Sequence, residues 1–373
     1  MNELKKIMVI APKAKSIMNF RGDLIKEFIK KGYEVIVVCP EYGQEENLKR
    51  IGVKEVLVIK MNKTSTNILS NIQYYNELKR TIKMEKPDKI FAYTIKPVIF
   101  GCLAAKKCKV KDIYPMLPGI GMVYLKNDIK TKIIRTICGI AYKKAFKNAK
   151  KVIFQNSDDK LEFLRRKYLK EEKCEVVDGS GVNLERFSRN PLPKDNVFVM
   201  VSRILKEKGV IEYCKAAEIV KKKYPDARFL YLGGEDNTHN SLKLKDIEEY
   251  TSKNIIEYCG TTDDVPDFLK QVTVVVLPSY YREGIPRTLL EALAMGRPII
   301  TTNSVGCKET VKDGKNGFLV PIKDINALAD KMIYMIEHRD KLEKMSDASY
   351  EYCKERFDVN IINRRMLEIM EIK

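Results

Sequence analysis

Histidine is almost absent from this sequence: there are two in 373 residues, His239 and His338. Neither lies near paired cysteines, and none of the nine cysteines forms a Cys-x-x-Cys pair. That argues against a zinc site, and a chain of this size does not read as a disulfide scaffold. Reduced thiols packed as small apolar residues are expected instead. Long apolar runs are missing as well. The longest hold about seven residues, such as 99–105, where crossing a bilayer takes roughly eighteen. Lys5 and Lys6 precede Ile7, Met8, Val9 and Ile10, but that segment is too short for the apolar core of a signal peptide and runs into Pro12 and Lys13. It reads as a first strand, and a cytoplasmic location is the expectation. No paired-aspartate metal motif stands near a strand end. Asp263 and Asp264 open a helix and read as caps, so neither an essential metal nor a cofactor is expected.

What is present is globular. Apolar residues make up 45% and charged residues 32%, and the length suits two domains. The net charge of +19 is carried on one side. Residues 1–190 hold 40 Lys and Arg against 21 Asp and Glu, whereas residues 191–373 hold 29 of each. Such asymmetry implies a polyanionic partner for the first half: nucleic acid, an anionic membrane or a phosphorylated substrate.

Short β-branched runs alternate with helical stretches. Strands are expected at 6–10, 34–38, 56–59, 89–93 and 151–154, with helices at about 21–31, 67–84, 97–107 and 130–147. A loop at Asn190-Pro191-Leu192-Pro193 marks the expected domain boundary. The alternation then restarts, with strands at 197–201, 228–232, 255–258, 272–277 and 298–302 and a helix at 209–223. From about Ile325 the chain reads as helix with a break near Phe357 and Asp358. The pattern predicts two doubly wound α/β domains, which bind ligands at the carboxyl ends of their strands.

The segment from Pro278 to Ala292 follows a buried strand, turns at Gly284 and starts a helix with Pro286 near its first position. The free amides of such a helix start suit a diphosphate, and Gly284 leaves room for phosphates to approach. Glu283 lies in the turn, where a carboxylate can hold sugar hydroxyls. Glu291 lies about 7.5 Å further along the helix, within reach of a ribose diol.

This segment continues through Gly296-Arg297-Pro298, and its Glu-x7-Glu pattern resembles the donor signature of retaining GT-B glycosyltransferases of family 4. The likeness extends to Ser202-Arg203-Ile204-Leu205-Lys206-Glu207-Lys208-Gly209, and to the runs 306–311 and 313–320. It implies a GT-B fold: two Rossmann-like domains facing across a cleft, with a C-terminal helix crossing back to the N-terminal domain. The implied domains are residues 1–190 plus about 357–373, facing acceptor and membrane, and residues 191–356, binding the donor. The implied donor site comprises Arg203, Lys208, Glu283, Gly284, Ile285, Pro286, Arg287, Thr288 and Glu291. Of these, Arg203, Lys208 and Glu283 are the implied catalytic residues. The family places a histidine where this chain has Thr94-Ile95-Lys96-Pro97, so a histidine base is excluded from that loop. In a front-face retaining mechanism the departing phosphate takes the acceptor's proton, while Arg203 and Lys208 stabilise its charge.

Within the family the sequence looks most similar to bacterial enzymes that extend sugars on undecaprenyl diphosphate, N-acetylgalactosaminyltransferases of protein glycosylation among them. Ser16, Phe20-Arg21, Lys96, Gly119-Ile120-Gly121 and the run 179–183 carry that similarity. It implies a UDP-sugar donor and a polyprenyl-diphosphate-linked acceptor for a surface polysaccharide or glycoprotein. Acceptor contacts would fall to Ser16, Arg21, Lys96, Gly119 and Gly121, with peripheral attachment to the cytoplasmic membrane face. Residues 126–151 hold nine Lys and Arg and one acid, Asp128. They read either as a basic amphipathic helix on anionic lipid or as an outer helix with its apolar face on the sheet and its lysines in water. One alternative is a GT-B enzyme with a soluble acceptor, which gives no reason for the one-sided charge. Another is a nucleic-acid-binding protein, but helix-turn-helix, zinc and RNP-type motifs are absent and the aromatics are not interleaved with the basic runs.

Overall fold

The computed structural model describes residues 4–62, 67–125, 128–236 and 241–373; His239 and Lys126 lie outside them. Two compact bodies form, one running to Ser180 and resuming at Asn360, the other spanning Gly181–Val359. Each is built on a parallel sheet with helices packed on both faces, which is why its strands are apolar on both sides.

The first body's strands are β1 (Lys6–Ile10), β2 (Glu34–Cys39), β3 (Glu55–Val58), β4 (Lys89–Tyr93), β5 (Asp112–Leu117), β6 (Val152–Phe154) and β7 (Cys174–Val176). Their order is β3-β2-β1-β4-β5-β6-β7, with every pair parallel. Tyr74, Leu78, Val98, Tyr142 and Phe146 fill the core on one face of the sheet. Ile17, Leu24 and Phe28 fill it on the other, together with Ile362, Met366 and Met370 of the C-terminal segment.

The second body's strands are β8 (Val197–Val201), β9 (Arg228–Leu232), β10 (Glu257–Tyr258), β11 (Val274–Leu277), β12 (Ile299–Thr302) and β13 (Gly317–Val320). They run in the order β10-β9-β8-β11-β12-β13, again parallel. Two doubly wound parallel sheets are what the GT-B resemblance implies.

Three strands escape the sequence reading. Pro115 lies inside β5, where a proline reads as a break. Pro115 is in register with Ala92 of β4, and pairing with β6 starts only at Met116, past the missing amide. β7 and β13 are three and four residues long and follow turns that mask them. The first helix starts at Ala14, not Arg21, which puts Ser16 and Arg21 on one element. The change of body after Ser180 precedes the Asn190–Pro193 loop because Val182 and Phe187 are buried in the second body's core. On the return, Val182 pairs with the break at Asp358: its amide donates to Phe357 O at 2.8 Å, and Val359 donates to Val182 O at 2.9 Å.

Arg297 is fully buried in the second body. Its guanidinium donates to Pro191 O at 2.9 Å, Leu269 O at 3.2 Å and Lys270 O at 3.4 Å. Leu269 and Lys270 end the helix Val265–Lys270, so the arginine caps its carbonyls while fixing the 190–193 loop. Asp264 caps the other end of that helix by accepting from Asp267 N. Burial lowers the Arg297 pKa to about 10. Arg297→Met strands three carbonyls, and chemical denaturation is expected to show a loss of about 3 kcal/mol.

Candidate functional site

An open parallel sheet offers its ligand crevice beyond the carboxyl ends of its strands, at the point where strand order reverses. In the second body that point lies between β8 and β11. Residues 202–209 leave the sheet after β8, and residues 278–286 leave it after β11.

Backbone packing locks these two exits together. Gly209 has φ +82°, and a β-carbon there would lie 2.2 Å from Pro278 O. Glu207 O accepts from Tyr280 N at 2.9 Å and from the buried Ser279 hydroxyl at 3.3 Å. On the β12 side, Thr302 and Ser304 hydroxyls both donate to Ser279 O. Gly306 has φ +84°, and a β-carbon there would lie 1.8 Å from Gly284 O. Gly284, Ile285 and Pro286 are buried in this turn, and Thr288 is half-buried.

Three ion pairs populate the frame. Lys208 Nζ donates to Glu283 Oε1 at 2.5 Å and lies 5.7 Å from the centre of the Tyr281 ring. The Ser279 hydroxyl reaches the same carboxylate oxygen at 3.4 Å. Arg203, more exposed, pairs with Asp236 on the loop after β9. That loop is tied to the β8 exit, since Ile204 N donates to Gly234 O and Leu242 N to Ile204 O, each at 3.0 Å. The third pair lies on the helix Arg287–Ala294, where Arg287 Nε donates to Glu291 Oε1 at 3.0 Å. Arg287 also donates to Gly181 O at 2.5 Å and stacks 5.8 Å from the centre of the Phe187 ring. It is therefore turned toward Glu291 and holds that carboxylate in place. Burial raises the Glu291 pKa, and the Arg287 and Arg186 charges offset this only in part.

Pro286 stands one residue outside the helix, at its N-cap, and not in its first turn. No side-chain hydrogen bond caps this helix start, and its first turn holds no acid, an arrangement that favours an anion.

The first body reverses strand order between β1 and β4, and the expected acceptor residues occupy the exits of β1, β4 and β5. The Ser16 hydroxyl lies 3.0 Å from the Tyr93 hydroxyl, and the buried Arg21 guanidinium lies 5.5 Å from the centre of the same ring. Lys96 is drawn elsewhere, donating to Asn62 O at 2.6 Å and Asn71 Oδ1 at 2.8 Å, and burial lowers its pKa. Gly119 and Gly121 flank Ile120, whose amide donates to Asp159; Gly121 has φ +71°. Thr94, just before Lys96, has φ +72° and ψ 166°, a region normally left to glycine.

Sequence reasoning missed Asp236, Ser279 and the strain at Thr94. No motif marks Asp236, which enters only because the β9 loop folds back on Ile204. The Gly306 contact lay within a run singled out above, but its partner, Gly284 O, became visible only in the fold.

Two family models match the chain: glycosyl transferase 4-like over residues 6–156, and glycosyl transferases group 1 over residues 182–352. An N,N'-diacetylbacillosaminyl-diphospho-undecaprenol alpha-1,3-N-acetylgalactosaminyltransferase of Campylobacter jejuni is 29% identical over 371 residues, covering 95% of this chain and 96% of its own. A UDP-Gal:alpha-D-GlcNAc-diphosphoundecaprenol alpha-1,3-galactosyltransferase of Escherichia coli is 24% identical, covering 82% and 81%. Among solved structures, Anabaena HepE in complex with UDP-glucose shares the fold at a TM-score of 0.81 and 19% identity, covering 98% and 99%.

Glu291 provides a test that needs no ligand. Folded protein holds its carboxyl proton more tightly than unfolded chain, so stability falls as pH rises from the unfolded toward the folded pKa, and stays lower above it. Glu291→Gln removes that fall. Urea unfolding between about pH 4 and pH 8 is expected to show wild type losing ground to the variant as pH rises. A difference independent of pH contradicts the burial argument.

Proposed function

Because the chain belongs to the GT-B glycosyltransferases of family 4, we propose that it transfers a sugar from a UDP-sugar to a polyprenyl-diphosphate-linked glycan, with retention and without a metal. N-acetylgalactosamine or another hexose or N-acetylhexosamine is the proposed sugar, and a surface polysaccharide or glycoprotein pathway the setting. The observation that carries this reading is the Lys208–Glu283 pair at the strand reversal, beside Arg203 and an uncapped helix start. Cations, a helix start and a carboxylate come together there, as a diphosphate bonded to a sugar requires. The names of the Campylobacter and Escherichia relatives support the lipid-linked acceptor.

In this reading Arg203, Lys208 and the amides at Arg287 and Thr288 take the diphosphate. Glu283, released from Lys208, accepts hydrogen bonds from sugar hydroxyls, and Glu291, held by Arg287, accepts from the ribose diol. The bond from the anomeric carbon to the UDP oxygen breaks on the face where the acceptor hydroxyl attacks. A new bond forms to the acceptor oxygen, and its proton passes to the departing phosphate. Arg203 and Lys208 stabilise the charge that grows on the diphosphate as it leaves. Ser16, Arg21, Lys96, Gly119 and Gly121 serve the acceptor in the first body. A lipid-linked acceptor places the enzyme peripherally on the cytoplasmic membrane face.

Transfer to a short lipid-linked acceptor in excess chelator is expected to proceed at the untreated rate and to keep the donor's anomeric configuration. An inverted linkage, or activity lost to chelator and restored by magnesium, contradicts the mechanism.

A further inference from the structure

The helix Ile129–Phe146 carries apolar residues on both its inner and its outer side, whereas an ordinary outer helix is polar on the outside. Its buried side consists of Arg135, Gly139, Tyr142, Ala145 and Phe146. Arg135 is held there by donating to Val123 O at 2.8 Å, and Gly139 lies against the Tyr168 ring, where a β-carbon would come within 2.5 Å. Four of its five isoleucines face outward: Ile129, Ile133, Ile137 and Ile140 are 53–77% exposed. Spaced four, four and three residues apart, they form one stripe along the helix. Exposed Lys130 and Lys132 flank it, and Lys143, Lys144 and Lys147 continue the face toward the C-terminus.

A second helix repeats the gradient. Ile68–Glu85 exposes Ile68, Leu69 and Ile72 in its first turns, and Arg80, Lys83 and then Lys86 near its end. Both helices follow parallel strands and lead back to the next strand's start, so they point the same way. Both also pack against the helix Ile95–Lys107. One helical layer of the first body therefore presents isoleucine and leucine at the strands' carboxyl edge and lysine at the amino edge. An open cleft of about 570 Å³ at the basic edge is lined by Lys79, Lys83, Lys86, Lys107 and Lys109.

We infer that this helical layer is the membrane-docking face, with the isoleucine stripe inserted among lipid chains and the lysines on headgroup phosphates. The inference rests on the membrane attachment in the proposed function and adds the surface and the mode. A bilayer fits this surface because it offers apolar chains and anionic groups on one side, matching both parts of the layer. A second copy of the chain would bring lysines against lysines. Insertion also distinguishes this mode from purely electrostatic adsorption, because salt screens charges but does not weaken apolar burial.

The full-length protein is tested by flotation with phosphatidylcholine vesicles containing phosphatidylglycerol, at low salt and in half-molar salt. Wild type is expected to bind at low salt and to keep a substantial fraction in high salt. Ile133→Glu with Ile137→Glu is expected to cut binding at least tenfold in both. Lys143→Glu, Lys144→Glu and Lys147→Glu together should remove mainly the salt-sensitive part. Unchanged helix content and UDP affinity in each variant verify folding. Wild-type vesicle binding by the isoleucine variant overturns the inference, as does a wild-type dimer in sedimentation that this variant dissolves without losing vesicles. Transfer to a water-soluble, short-chain acceptor separates the two readings. If wild type performs it but the isoleucine variant binds vesicles as wild type does, the docking inference alone has failed; if wild type lacks it, the transferase reading has.

Discussion

A β-carbon at Gly306 would lie 1.8 Å from Gly284 O, and one at Gly209 would lie 2.2 Å from Pro278 O. Real β-carbons do not come within 3.0 Å of other atoms, so both contacts are possible only for glycine. Through them the exits of β8, β11 and β12 share one backbone layer, with Ser279 hydrogen-bonded to its neighbours on either side. Lys208 and Glu283 come from loops 75 residues apart, and that layer brings them within reach of each other. The turn that presents Glu283 and the helix that presents Glu291 inherit the same rigidity.

Charge balance follows from this frame. Three cations at the reversal point have carboxylate partners: Lys208 with Glu283, Arg203 with Asp236, Arg287 with Glu291. Such pairing avoids burying an isolated charge, at the cost of an exchange when an anion arrives. The three pairs differ in how readily they can exchange. Arg203 is half exposed and its partner sits on a loop, whereas Arg287 and Glu291 are mostly buried and tied to Gly181 and Phe187. Arg203 is thus suited to move onto a ligand, and Arg287 to keep Glu291 oriented.

Most of the architecture was legible in the sequence, because parallel strands covered on both faces leave dense apolar runs between turn residues. β5 was hidden because Pro115 is read as a break regardless of which neighbour its missing amide would have faced. The change of body after Ser180 was hidden because prolines at 191 and 193 mark a loop without revealing what packs on either side of it. At the site, the glutamate pair and its turn were visible as a spacing. Asp236 was not, since its place depends on a loop folding back across 30 residues of sequence. The isoleucines of the helix Ile129–Phe146 were visible as a periodic stripe, but periodicity does not say which side faces the sheet. Arg135 and Gly139 settle that, one by its bond to Val123 O and the other by the room it leaves for Tyr168.

The central claim, that Lys208, Arg203 and the uncapped helix start form a diphosphate site, is tested most directly by calorimetry with UDP and uridine. The two ligands differ only in the diphosphate. Wild type is expected to bind UDP far more tightly than uridine. Arg203→Ala and Lys208→Ala should each remove most of that difference while leaving uridine affinity unchanged. If either variant preserves the wild-type gap between UDP and uridine, the diphosphate lies elsewhere and the account of this site is wrong.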